Sequence, residues 1–194
     1  MTLFKGIARD KTNADIEWMN NQSAFYSYGY RSAAEKLINE YDKTSMPEKD
    51  AMVFPTIFLY RHYLEIEIKD LIYRSERCSE ITPSEITHHR LLDIWNTLDE
   101  KYSELSKKIH KDHNFCSAED KNKVKRIIEE FNKIDEQSFA FRYPRRKNGD
   151  KSIKNISHIS LNKFKTEIDR VIHILDHINE TICHYETYLD NTSS

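Results

Sequence analysis

Glycine and proline are scarce in this chain of 194 residues, with 3 of the first and 4 of the second. Tight β-turns draw on both, so the composition argues against an all-β sandwich or barrel. Cysteine is scarce too. Cys78, Cys116 and Cys183 lie far apart, form no Cys-x-x-Cys unit and predict reduced thiols rather than a disulfide frame. Long apolar runs are missing, since the stretch around Val53 to Tyr60 is far too short to cross a bilayer. The opening residues, Met1 to Gly6, carry no apolar signal region, so the expectation is a cytoplasmic protein without membrane contact. An excess of one charge is also absent. With 30 Lys and Arg against 32 Asp and Glu the net charge is −2, which excludes a globally basic nucleic-acid binder but not a local basic patch.

What the chain has is helical periodicity. Its length suits one domain over 1–194, and at this size folding hides roughly 70% of the surface of the unfolded chain. The first helix is predicted from Gln22 to Asp42, with Phe25, Tyr26, Tyr30, Ala33, Ala34, Leu37, Ile38 and Tyr41 on its apolar face, extended backwards by Trp18 and Met19. The second opens at Ser45-Met46-Pro47-Glu48, a capping box with proline where donors are unpaired anyway, and runs to about Arg77. Pro55 inside it predicts a bend or a restart. A second capping box, Thr82-Pro83-Ser84-Glu85, precedes a third helix with the seam Leu91, Trp95, Leu98, Tyr102, Leu105 and Ile109.

Ser117 opens a fourth helix carrying Val124, Ile127, Ile128, Phe131 and Ile134. Ser160 caps a long fifth, in which Leu161, Phe164, Ile168, Val171, Leu175, Ile178, Ile182, Tyr185 and Leu189 alternate by three and four before fraying from about Asp190. At about 45 Å this helix is longer than a small bundle needs, and its far end suits a second copy. One β-like stretch interrupts the pattern. Phe139, Phe141 and Tyr143 alternate with Ala140 and Arg142, and Asn148-Gly149 is a favoured hairpin turn, which predicts a small hairpin over about 138–156. The fold class expected is therefore all-α, with five helices and a hairpin inserted before the last.

Three stretches, in order, resemble the HEPN superfamily (higher eukaryote and prokaryote nucleotide-binding domains). Leu59-Tyr60-Arg61-His62-Tyr63-Leu64-Glu65-Ile66-Glu67-Ile68-Lys69 is similar to the family's helix with a Glu-Leu-x-Leu-Lys type pattern. His88-His89-Arg90-Leu91-Leu92-Asp93-Ile94-Trp95 is similar to the Gly-His-Asn/Asp-Leu opening of the next helix, with His88 in the glycine position and Arg90 in that of Asn/Asp. Phe141-Arg142-Tyr143-Pro144 resembles the Arg-Tyr-Pro element of prokaryotic members. The resemblance spans roughly residues 22 to 190 and implies an antiparallel helical bundle and a homodimer. It also implies RNA cleavage or nucleotide binding, and a partner protein in toxin–antitoxin or phage-defence systems. Fold analogy alone does not fix activity; a non-catalytic or accessory module is the first reading and an enzyme the alternative.

The polar residues offer two sites. Arg61, Glu65 and Lys69, four apart, share one stripe of the second helix, and His89 and Arg142 are expected to converge on Glu65. Such a cluster fixes helix register, because a buried carboxylate needs partners; it also suits a phosphate or nucleotide pocket with Arg61 and Arg142 as forked donors beside Tyr143. The second site rests on the Arg-x(4–6)-His pattern that active HEPN ribonucleases use across a dimer. Arg170 and His177 match it, seven apart and near one face of the fifth helix. There a histidine moves the proton of the attacking 2′-hydroxyl and the arginine holds phosphate charge, with no metal or other cofactor. Spacings of this kind also arise by accident, and a solvated face enriched by His173 and His184 is the alternative.

Metal ligation is not expected. His173 with His177, and His110-x-x-His113-x-x-Cys116, have ligand-like spacing but no evident fourth ligand. Arg145, Arg146 and Lys147, with Arg142, Lys151 and Lys154, make a basic run on the hairpin that suits a phosphate backbone or plain solvent. Three readings follow: an RNA- or nucleotide-associated module, a metal-independent endoribonuclease, or a structural dimerisation protein built on the last helix.

Overall fold

A computed structural model of the chain describes residues 6–16, 22–109 and 115–192. Five helices form among them: α1 (Gln22–Tyr41), α2 (Met46–Cys78), α3 (Leu91–Ser106), α4 (Ala118–Asp135) and α5 (Leu161–Thr192). The chain is all-α, a helical bundle. Among the described residues no helix is long and apolar enough to cross a membrane. Trp18, Met19, His110 and His113 lie outside the described residues.

Helix α2 is the centre. It packs on α1, α3 and α5, while α4 closes the bundle against α3 and α5. The reason is its apolar stripe: Tyr60, Leu64, Ile68 and Leu71 recur by four and three and are wholly buried. They meet Leu91, Trp95, Leu98, Tyr102 and Leu105 of α3 and Ile168, Leu175 and Ile182 of α5 in one core. Each such side chain stabilises the fold by about 1.5–3 kcal/mol through burial. Ser117 caps α4 as expected, its Oγ accepting from the Asp120 N–H at 3.1 Å. Helix α5 runs to Thr192, beyond the Asp190 at which fraying is expected.

Three expectations need correction. Pro55 does not restart α2, which is continuous from Met46 to Cys78. Proline withholds one N–H, but at an exposed turn, and Thr56 Oγ donates to the Met52 carbonyl at 2.8 Å just beside it. Phe25 and Tyr26 do not join the core. They are 44% and 59% exposed, because α1 packs on α2 through another face, which carries Ser27, Tyr30, Ala34, Ile38 and Tyr41. The Thr82–Glu85 stretch caps nothing on α3, which starts later, after Arg90. Instead the Ser84 N–H and hydroxyl donate to the buried Glu76 carboxylate at 2.9 and 3.1 Å, tying this segment back to the end of α2.

The hairpin over 138–156 is also absent. No strand forms among the described residues, only one antiparallel bridge between Arg145 and Lys151. Its loop does close. The Gly149 N–H donates to the Arg146 carbonyl at 2.9 Å and the Arg146 N–H to the Asp150 carbonyl at 2.8 Å, with Gly149 at φ 86°, where glycine is unstrained. One step on, the Ser152 N–H donates to the Pro144 carbonyl at 3.0 Å, but Pro144 has no N–H to return and the ladder stops. Residues 139–143 coil into a single turn in which the Arg142 and Tyr143 N–H groups donate to the Phe139 carbonyl at 3.1 and 3.2 Å. Phe139 and Tyr143 therefore meet as tilted rings 4.7 Å apart while Phe141 turns into the core, rather than all three sharing a strand face.

Candidate functional site

Phe58, His62, Glu65 and Lys69 follow one another along α2 at helical spacing, so they form a single stripe. Glu65 is its anchor, buried to 3% exposure. Its Oε1 accepts from His89 Nδ1 at 2.6 Å and Lys69 Nζ at 3.0 Å, and its Oε2 accepts from Arg61 Nη1 at 3.2 Å. Burial pushes the Glu65 carboxyl up, but the hydrogen bonds and charges of His89 and Lys69 outweigh it and hold the group below the ordinary carboxylate range. An ionised carboxylate only accepts, so Nδ1 of His89 carries the proton and Nε2 is the nitrogen left for a ligand. The His89 side chain is 56% exposed, so that edge meets solvent.

Arg61 lies on the closed side of the same cluster, with 0% exposure. Beyond Glu65, its Nη2 donates to the His89 carbonyl at 2.7 Å and the Glu136 carbonyl at 3.3 Å, and its Nε to the Asp135 carbonyl at 3.2 Å. One guanidinium thus ties together α2, the entry to α3 and the end of α4. Its donors are spent inside the protein, so it holds the site together and touches no ligand. Burial pulls its pKa down, against the opposing charges of Asp135 and Glu65.

Asp135 is the member that sequence reasoning missed. It is buried, and its Oδ1 accepts the backbone N–H groups of Phe139 and Ala140, which winds the turn that presents Arg142. A signal existed: an acid in the last turn of a helix opposes the helix dipole and is there for another reason.

Arg142 does not reach Glu65. Its Nε donates to the Ser138 carbonyl at 2.6 Å, and its guanidinium lies over the rings of Phe58 (5.6 Å) and Tyr143 (5.7 Å). Coiling of 139–143 into a turn, in place of an extended strand, moves it two helical turns of α2 away, about 10 Å along the axis. Between Arg142 and His89 lies His62, stacked on Phe58 at 5.6 Å and edge-on to Tyr30 of α1 at 4.4 Å. Burial lowers the His62 pKa, assisted by Arg61, Arg142 and His89 and opposed by Glu65. The stripe thus offers the stacked Arg142, the outer edge of His89 and then Lys69, a row of donors suited to phosphate oxygens.

Arg145, Arg146 and Lys147 stand exposed on the neighbouring loop. Arg145 Nη1 caps the loop through the Gly149 carbonyl at 2.8 Å, and Arg146 and Lys147 line a hollow of about 440 Å³ at the end of α4. Arg170 and His177 are not brought together on a common partner. Arg170 pairs with Glu167 at 2.7 Å and His177 with Glu180 at 4.0 Å. Among the described residues no group of three His, Cys, Asp or Glu side chains is arranged to hold a metal. In comparisons with known proteins, no family model, curated protein or solved structure matches this chain.

Proposed function

We propose that the chain is an RNA-associated module of the HEPN kind, working in a bacterial defence or toxin–antitoxin setting, with the stripe along α2 as its phosphate contact. The observation that carries this reading is His89, fixed through Nδ1 by a buried carboxylate at 2.6 Å while its other edge faces solvent. A surface histidine with no ligand has no need of so costly a support, because a carboxylate taken out of water must be fully partnered. Arg142, His89 and Lys69 extend along the α2 span from Phe58 to Lys69, about 16 Å, which is longer than a mononucleotide fills and favours a polynucleotide backbone. The exposed run Arg145, Arg146 and Lys147 continues the positive surface beyond it.

The test is an anisotropy titration of labelled RNA, with free mononucleotide as competitor. Saturable binding is expected, weakened about tenfold in His89→Ala and in Arg142→Ala, each a loss of about one charge-assisted hydrogen bond. Absence of saturable binding, or wild-type affinity in both variants, sinks the reading. Displacement by mononucleotide at RNA-like concentrations turns it towards a nucleotide pocket.

A further inference from the structure

Beyond Lys69 the stripe opens into a cleft of about 1060 Å³ between the start of α1, the second half of α2 and the end of α5. Lys69, Tyr73 and Arg77 follow at intervals of four and share this face. Tyr73 is 47% exposed, with the Arg77 guanidinium over one side of its ring at 5.9 Å.

The charges in the cleft are sorted. Both of its carboxylates turn to Arg74, Glu186 at 2.6 Å and Asp70 at 3.9 Å, and Arg74 is held further by Asn179 and Cys183. Arg77 has no carboxylate within ion-pair distance among the described residues. Arg77 is therefore the cation on offer to a ligand at one end of this face, and Lys69, which also holds Glu65 at 3.0 Å, stands at the other, with Tyr73 between them and Ile66 and Ile86 as apolar wall. A flat polar ring carrying a phosphate ester matches this pattern, since the ring stacks on tyrosine and the ester passes the cations.

We infer that this cleft is a base subsite, in which an unpaired nucleobase stacks on Tyr73 while its phosphates pass Lys69 and Arg77, so that the protein selects single strands over duplex. The inference rests on the RNA reading above. A base inside a duplex keeps both faces covered by its neighbours and cannot present one to Tyr73, whereas the phosphate stripe from Arg142 to Lys69 makes no such distinction.

The experiment measures affinity of the full chain for an end-labelled single-stranded oligoribonucleotide and for the duplex of the same sequence, in wild type, Tyr73→Ala, Tyr73→Phe and Arg77→Ala. Expected are tighter binding of the single strand, a loss of roughly tenfold in Tyr73→Ala for the single strand only, and recovery in Tyr73→Phe. Arg77→Ala is expected to weaken the single strand as well. Equal affinity for the two RNAs, an unchanged Tyr73→Ala, or a loss that phenylalanine does not recover overturns the subsite and leaves the phosphate stripe standing. Failure of wild type to bind either RNA overturns the functional reading and the subsite together.

Discussion

Arg61 and His89 are joined at the backbone, Nη2 to carbonyl at 2.7 Å, while the ring of the same histidine is held by Glu65, the next acid along α2. One helix therefore fixes both the position of the residue and the direction of its ring. That double hold makes His89 a presented group rather than a passing surface side chain.

Removing the anchor separates hold from bulk. Glu65→Ala is expected to cost about 3 kcal/mol, near the low end for breaking a buried pair because Lys69 and His89 are partly solvated. Glu65→Gln keeps an acceptor for His89 and should cost less. Urea melts of both variants check the order, and equal losses contradict it.

Acid gives a second reading of the same group. Because the folded pKa of Glu65 is depressed, its stabilisation is fully present above the ordinary 4.5 of a glutamate and is lost as pH falls through the folded value. The stability gap between wild type and Glu65→Gln should stay level above about pH 5 and narrow below it. Subtracting the variant removes the opposing trend of Glu67 and Asp70, which burial pushes up. A gap that widens with acid contradicts the assignment.

Asp135 is expected to act through Arg142 without touching a ligand. Asp135→Ala unwinds the 139–143 turn, with a stability loss of about 2 kcal/mol and weaker RNA binding. Asp135→Asn keeps Oδ1 as an acceptor and should restore most of the affinity. Denaturation and anisotropy on the two variants check this, and affinity equal to wild type in Asp135→Ala removes the positioning role.

On α5, Arg170→Ala and His177→Ala are expected to leave RNA affinity within about twofold of wild type, since each side chain is engaged by its own surface carboxylate and such pairs contribute little. Incubating the protein with RNA in EDTA asks the separate catalytic question. Cleavage lost in both variants would instead establish this pair as the reactive centre.

Much of the fold was legible because burial follows period. Leu91, Trp95, Leu98, Tyr102 and Leu105 on α3, and Ile168, Val171, Leu175, Ile178 and Ile182 on α5, sit where their spacing puts them. Phe25 and Tyr26 have equally good spacing yet stay outside, because spacing identifies a face and not the number of neighbours that cover it. The Thr82–Glu85 string has the letters of a cap, but the nearby Glu76 carboxylate claimed its serine. Within the site, the meeting of Glu65 with Lys69 and His89 could be read from helical register and helix order. The place of Arg142 could not, because it depends on whether 139–143 coils or extends, and that is decided by Asp135 from the preceding helix.

The lateral position of α1 also sets the order in which the molecule comes apart. Packed against α2 and pinned to α5 through Arg31 and Asp176, it is the piece that can peel away while the other four helices keep their shared interior. Its departure would strip Tyr30 from the edge of His62 and uncover the hydroxyl-bound Glu67, so amide protons of α1 should exchange before those of α3. A protein that breathes in this way lays bare one flank of its own phosphate stripe without disturbing the Arg61 knot beneath it.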